Sequence, residues 1–122
     1  MPITTITHKG KNIVFISFED YDTKEKMVQS TYDLRDYVLA QPEGHVLVLM
    51  DSTHAKGSRE FMAAAKESRL EVRKTKNTSS AAIGISGVKM VLLKGYNAIV
   101  KSGATVPFNT KEEALDYLVS QV

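Results

Sequence analysis

Hydrophobic positions along this chain change period several times, and each change marks an element. Residues 12–18 read Asn-Ile-Val-Phe-Ile-Ser-Phe, a β-branched and aromatic run that suits a strand. A weaker alternation over residues 3–8 precedes it, and Lys9-Gly10-Lys11 separates the two, which predicts an antiparallel hairpin. His8 falls at the hairpin end and is expected to be exposed there. The period then turns helical. Met27, Thr31, Leu34 and Val38 fall at i, i+4, i+7 and i+11, one face of a helix. Tyr32 and Tyr37 flank that face as core-edge residues. Asp22 with Glu25 reads as a capping box at the helix start, and Pro42 with Gly44 stops it.

Residues 45–50, His-Val-Leu-Val-Leu-Met, are apolar on both faces. Such a run predicts a central parallel strand covered by helices on both sides. A helix over 59–74 follows, with Phe61, Ala65, Ser68 and Val72 inward and Met62 and Leu70 beside them. Residues 80–85 read as the next core strand. Ser86-Gly87 then turns into a helix with Val88, Val91, Leu92 and Ile99 inward, and Gly95 marks a weak point or a close approach. Lys101-Ser102-Gly103 ends that helix, and a short strand over 104–108 carries Pro107, which suits a sheet edge. Thr110 with Glu113 caps a last helix whose apolar stripe is Ala114, Leu115, Leu118 and Val119. The order β-β-α-β-α-β-α-β-α predicts an α/β fold. Its five-stranded mixed sheet has an antiparallel N-terminal edge strand, four mutually parallel strands, right-handed crossovers and four helices.

Composition narrows the class. At 122 residues the whole chain, 1–122, reads as one domain able to bury a core. It has no cysteine, which removes disulfides, thiolate chemistry and cysteine zinc sites, and a cytoplasmic location is the expectation. No apolar run approaches the roughly 20 residues of a transmembrane segment, and the first residues show no signal-peptide core. Net charge is +2, but residues 56–101 hold ten Lys/Arg against three acids. That asymmetry can steer an anionic partner, although a solvated basic helix face explains it more simply. Nucleic acid is not the expected partner, because no aromatic–basic interleaving or reader motif is present.

In open α/β sheets ligands collect at the carboxyl ends of the strands. There the chain places Asp51, His54, Ser86, Gly87 and Lys89 as a candidate ligand rim. Ser52, Thr53 and Ser58 supply hydroxyls on the same loop, where capping the next helix and satisfying loop amides explain them most simply. A Ser-His-Asp set can be spelled from these letters, but no nucleophile elbow or glycine-rich oxyanion loop accompanies it. No catalytic residue is therefore assigned, and a hydrolase is the remote alternative. His8, His45 and His54 lack metal-ligand spacing, so no metal or cofactor is expected. The turn over residues 84–89 has two glycines but neither the dinucleotide nor the P-loop pattern, so a tight turn explains it better than a phosphate cradle.

Four segments carry a family resemblance: Lys9-Gly10-Lys11-Asn12-Ile13, residues 46–51, Ala82-Ile83-Gly84-Ile85-Ser86-Gly87, and residues 107–118 with their Thr cap and Glu-Glu-Ala. With the element order they resemble the SpoIIAA-like group of STAS-like and Sec14-like domains. The resemblance implies a non-enzymatic signalling or interaction module with a protein partner; a homodimer is a separate expectation. The resemblance also implies regulation by phosphorylation near the start of the helix after the central strand, where Ser52, Thr53 and Ser58 stand. The chain departs from the anti-sigma antagonist pattern, since Thr53 is followed by His54-Ala55-Lys56-Gly57 rather than by glycine and an aliphatic residue. The Sec14-like side of the resemblance implies the alternative, a carrier of a lipid or small apolar ligand, with an apolar cavity on the order of 300 Å³ or more.

Overall fold

A computed structural model of the chain describes residues 2–99 and 105–122. The expected Lys101-Ser102-Gly103 helix stop and Ala104 lie outside the described residues. Strand β1 (Ile3–His8) pairs antiparallel with β2 (Lys11–Ser17), with Ile3 opposite Ile16 and His8 opposite Lys11. Lys11 thus belongs to the strand, and the turn is only Lys9-Gly10. Both turn residues have positive φ, 49° and 78°. That is the backbone of a type I′ turn, whose twist matches the strands it joins.

Strands β3 (His45–Asp51), β4 (Asn77–Ile83) and β5 (Thr105–Phe108) complete a five-stranded sheet of order β1-β2-β3-β4-β5. From β2 onward all pairings are parallel. Pro107 sits in edge strand β5 opposite Ala82, where a missing amide is tolerated. β4 begins three residues earlier than the apolar pattern suggested and ends at Ile83. Its first residues, Asn77, Thr78 and Ser79, pair with His45, Val46 and Leu47 but carry no apolar signal.

The helices are α1 (Lys24–Leu39), α2 (Arg59–Arg73), α3 (Val88–Ile99) and α4 (Lys111–Val119). Sequential parallel strands that are also spatial neighbours, joined by right-handed crossovers, must place α1, α2 and α3 on one face. α4 makes no crossover and covers the other. The strands alternate accordingly. Val14, Ile16, Val46 and Val48 form one core with Met27, Val38 and Val72, whereas Ile13, Leu47, Leu49 and Ala81 form a second with Ala114 and Leu118.

Caps fix the helix starts. Thr23, not Asp22, is the N-cap of α1, its hydroxyl accepting from the Lys26 amide at 3.1 Å. The shift puts Glu25 one residue too early to reach back, so the expected box does not form. Asp22 instead accepts from Lys26 Nζ at 3.2 Å, and this bond first of all holds its carboxyl below the ordinary carboxylate range. Ser58 caps α2 by accepting from the Phe61 amide at 3.0 Å. Thr110 caps α4 as expected, and Glu113 accepts from its hydroxyl at 2.9 Å.

α3 differs from the other helices. Val91, expected inward, is 71% exposed. Leu92 is half-buried, the side chains of Val88 and Ile99 lie outside the described residues, and no described side chain of α3 is buried. Gly95 has open space where a Cβ would be, so it marks no close packing. Among the described residues, no helix is long and apolar enough to cross a membrane.

Candidate functional site

The rim at the carboxyl ends of β3 and β4 is tightly organised. Asp51 ends β3 and its Oδ1 accepts from the Thr53 amide at 3.1 Å and the Thr53 hydroxyl at 2.6 Å. The Ser52 amide donates to the Ile83 carbonyl at 2.9 Å, carrying the strand pairing one step further. Lys89, from the first turn of α3, donates to the carbonyls of Ser52 and Thr53 at 2.8 and 2.9 Å. Its ammonium therefore ties α3 to the loop rather than standing over the glycine turn. Ser86 and Gly87 are exposed at the start of α3, and their carbonyls accept from the amides of Lys89 and Met90.

The structure thus brings Asp51, Ser52, Thr53 and Lys89 together and leaves the other sequence candidates apart. His54 is exposed and forms no hydrogen bond among the described residues; in particular none joins it to Ser52 or Ser58. The three candidate hydroxyls have different surroundings. Ser52 is only 7% exposed, Ser58 is committed to capping α2, and Thr53 is exposed. The remaining histidines have structural partners: His8 Nε2 lies 2.9 Å from Asp116 Oδ1, and His45 Nε2 lies 2.8 Å from Ser79 Oγ. Asp116 also pairs with Lys9 at 3.0 Å, and the bonds from His8 and Lys9 hold its carboxyl low. No cluster of three His, Cys, Asp or Glu suited to a metal occurs among the described residues.

Below this rim, between the sheet and helices α1, α2 and α3, lies a cavity of about 170 Å³. Its origin is legible in side-chain size. β4 and β5 present Ser80, Ala82 and Thr105 to this face, and α2 presents Ala65 and Ser68. These small groups cannot reach across to Leu92 and Leu93 of α3 on the far wall. The other face of β4 meets α4 directly, through Ala81, Ala114 and Leu118.

The lining is mostly apolar, with one exception buried in it. Ser68 Oγ and the Arg69 atoms Nε and Nη2 are buried and have no hydrogen-bond partner. Leaving such groups unpaired is costly, most of all for a charge. The Tyr96 side chain lines the same cavity beside Arg69. Burial pushes the Tyr96 phenol above its ordinary value, and the adjacent Arg69 partly offsets this. The other two cations among the described lining residues are partnered. Arg35 Nε donates to Asp36 Oδ1 at 2.9 Å, and Lys89 is held by the two loop carbonyls. No aspartate or glutamate is among the described lining residues.

Sequence reasoning placed Ser68 on the inner face of its helix but as a packing residue. It counted Arg69 only as charge and passed over Tyr96. A signal was available: the small-residue strand Ser79-Ser80-Ala81-Ala82, the small helix turn Ala63-Ala64-Ala65, and an inward serine followed at once by arginine. No protein-family model matches this chain, and no curated protein matches it.

Proposed function

We propose that this domain is a binding module that holds a small amphipathic molecule in the cavity beneath α2 and α3. One observation carries the reading: two residues that line an apolar cavity of about 170 Å³, Ser68 and Arg69, carry buried polar atoms that the protein leaves unpaired. An engineered apolar cavity of about 150 Å³ holds benzene, so the cargo has roughly six to ten heavy atoms. A carrier function agrees with the Sec14-like side of the sequence resemblance. The volume is about half the roughly 300 Å³ of an ordinary small-molecule site, which narrows the cargo from a lipid to a small amphiphile.

Titration of the ¹⁵N-labelled protein with hexan-1-ol tests the reading. Amide shifts should change at α2, α3 and the β4 residues between them, and Ala65→Leu, which fills the cavity, should abolish the changes while the spectrum stays folded. Shifts spread evenly over the surface, or unaffected by Ala65→Leu, would remove the cavity as a binding site.

A second reading keeps the STAS-like switch, and the exposure of Thr53 favours it over Ser52 and Ser58. A phosphate there would add about −1.5 to −2 charge beside the Asp51 carboxylate and break the Thr53–Asp51 bond by repulsion. Phosphopeptide mapping of natively expressed protein tests it, and a loop that is never modified would end it.

A further inference from the structure

The unpaired atoms of Arg69 say more than that the cavity is polar at one end. Nε and Nη2 lie on the same edge of the planar guanidinium, and their N–H groups point the same way. This edge is the one that meets both oxygens of a carboxylate in parallel. It is the edge left without a partner. Ser68, one residue earlier on α2, adds an unpaired hydroxyl. The charge balance points the same way. Among the described lining residues Arg35 and Lys89 have partners of their own, which leaves the Arg69 edge, and no acid among those residues offsets it.

We propose that the ligand is a small monocarboxylate, its carboxylate seated on the Nε/Nη2 edge of Arg69 and its apolar body against the wall of α3 and the β4 face. This rests on the cavity being a binding site, as set out above, and adds the chemical class of what it holds. A phosphate dianion fits less well. One free guanidinium edge balances one charge, and the surrounding apolar lining would leave the second without compensation. A neutral alcohol of the same length would fill the apolar space, but its single oxygen could accept from only one of the two N–H groups and brings no charge to match the guanidinium. Discrimination therefore comes from the carboxylate, because a buried polar group left without its partner is what makes a site reject an analogue.

Calorimetric titration with hexanoate and with hexan-1-ol, on the wild type and on Arg69→Gln, Arg69→Lys and Ala65→Leu, separates the outcomes. Hexanoate should bind the wild type at least about tenfold tighter than hexan-1-ol, a difference of about 1.4 kcal/mol. Arg69→Gln should lose at least about tenfold for hexanoate and change hexan-1-ol by no more than about twofold. Arg69→Lys keeps the charge without the paired donors and should fall between the two. If Arg69→Gln does not fold, the wild-type preference and the Arg69→Lys loss carry the test. Equal binding of the two ligands to the wild type, with both lost in Ala65→Leu, would overturn the carboxylate assignment and leave the cavity reading standing. Binding of neither ligand would overturn both.

Discussion

Gly84 and Gly95 offer the same substitution with opposite expected signs. Gly84 follows β4 with φ +75°, and an added Cβ would lie 2.5 Å from Thr53 Oγ1, 2.6 Å from Thr53 N and 2.8 Å from Thr53 Cα. Two of those atoms are backbone, so no rotamer change relieves the overlap. An L-residue in this left-handed conformation costs about 1–2 kcal/mol. Pushing Thr53 away also weakens its amide and hydroxyl bonds to Asp51, worth about 1 kcal/mol each. Gly84→Ala should therefore destabilise the fold by about 3 kcal/mol, a large part of the roughly 5–15 kcal/mol that holds a domain of this kind. In thermal melts that is a fall in Tm of roughly 10–15 °C. Gly95 lies in α3 with nothing within 4 Å of the added Cβ. There alanine adds up to about 1 kcal/mol of helix propensity, so Gly95→Ala should leave stability unchanged or raise it. Urea denaturation followed by far-UV circular dichroism measures both. The reasoning fails if Gly84→Ala stays within about 0.5 kcal/mol of the wild type, the range of an unremarkable surface change, or if Gly95→Ala is equally damaging.

Other substitutions probe other layers of the structure. Tyr21 is 8% exposed and donates to Asp33 Oδ2 at 3.1 Å; burial first, and then this acceptor, push its phenol up to about 12. The folded state then holds the proton more tightly than the unfolded chain, so this contribution is complete below about pH 10 and is lost as pH rises toward 12. Urea denaturation across that window should show a decline of at most about 2 kcal/mol that Tyr21→Phe flattens. Lys89→Met strips the Ser52 and Thr53 carbonyls of their donor. Amides of the first turns of α3 should then exchange about tenfold faster, with β2 and β3 unchanged. Leu118→Ala empties a fully buried position between α4 and the sheet and should cost about 2–5 kcal/mol by chemical denaturation, with α4 lost first in hydrogen exchange.

The sheet was legible in the sequence because its signals are local. The apolar run before Asp51, the glycine in the hairpin turn and the proline of the last strand each constrain one element, and the sequential strand order follows from the short crossovers. Boundaries were less legible where chemistry overlaps. Asp22 and Thr23 both suit an N-cap, and only backbone geometry shows that Thr23 takes the role. The polar start of β4 is paired by its neighbours, not by its own pattern. The rim was foreseen in place, because strand ends converge there, but its internal bonds were not. Lys89 reaches back across a span of the chain that no local motif records. An apolar cavity was expected only from the Sec14-like resemblance and at about twice this volume; its place and lining were not foreseen. It is a deficit of volume summed over α2, β4 and α3. Val91, expected inward, is exposed because the face α3 turns to the cavity carries Lys89, Leu92, Leu93 and Tyr96, and Val91 lies on the opposite side of the helix.

Isotope-filtered NOE spectroscopy of methyl-labelled protein with hexanoate shows where the ligand sits. Cross-peaks are expected from the hexanoate chain to the methyls of Val48, Leu92 and Leu93, which line the cavity, and none to Leu118 on the opposite face of the sheet. Cross-peaks to Leu118, or none to the cavity methyls at ligand concentrations that saturate the amide shifts, would contradict binding in the cavity.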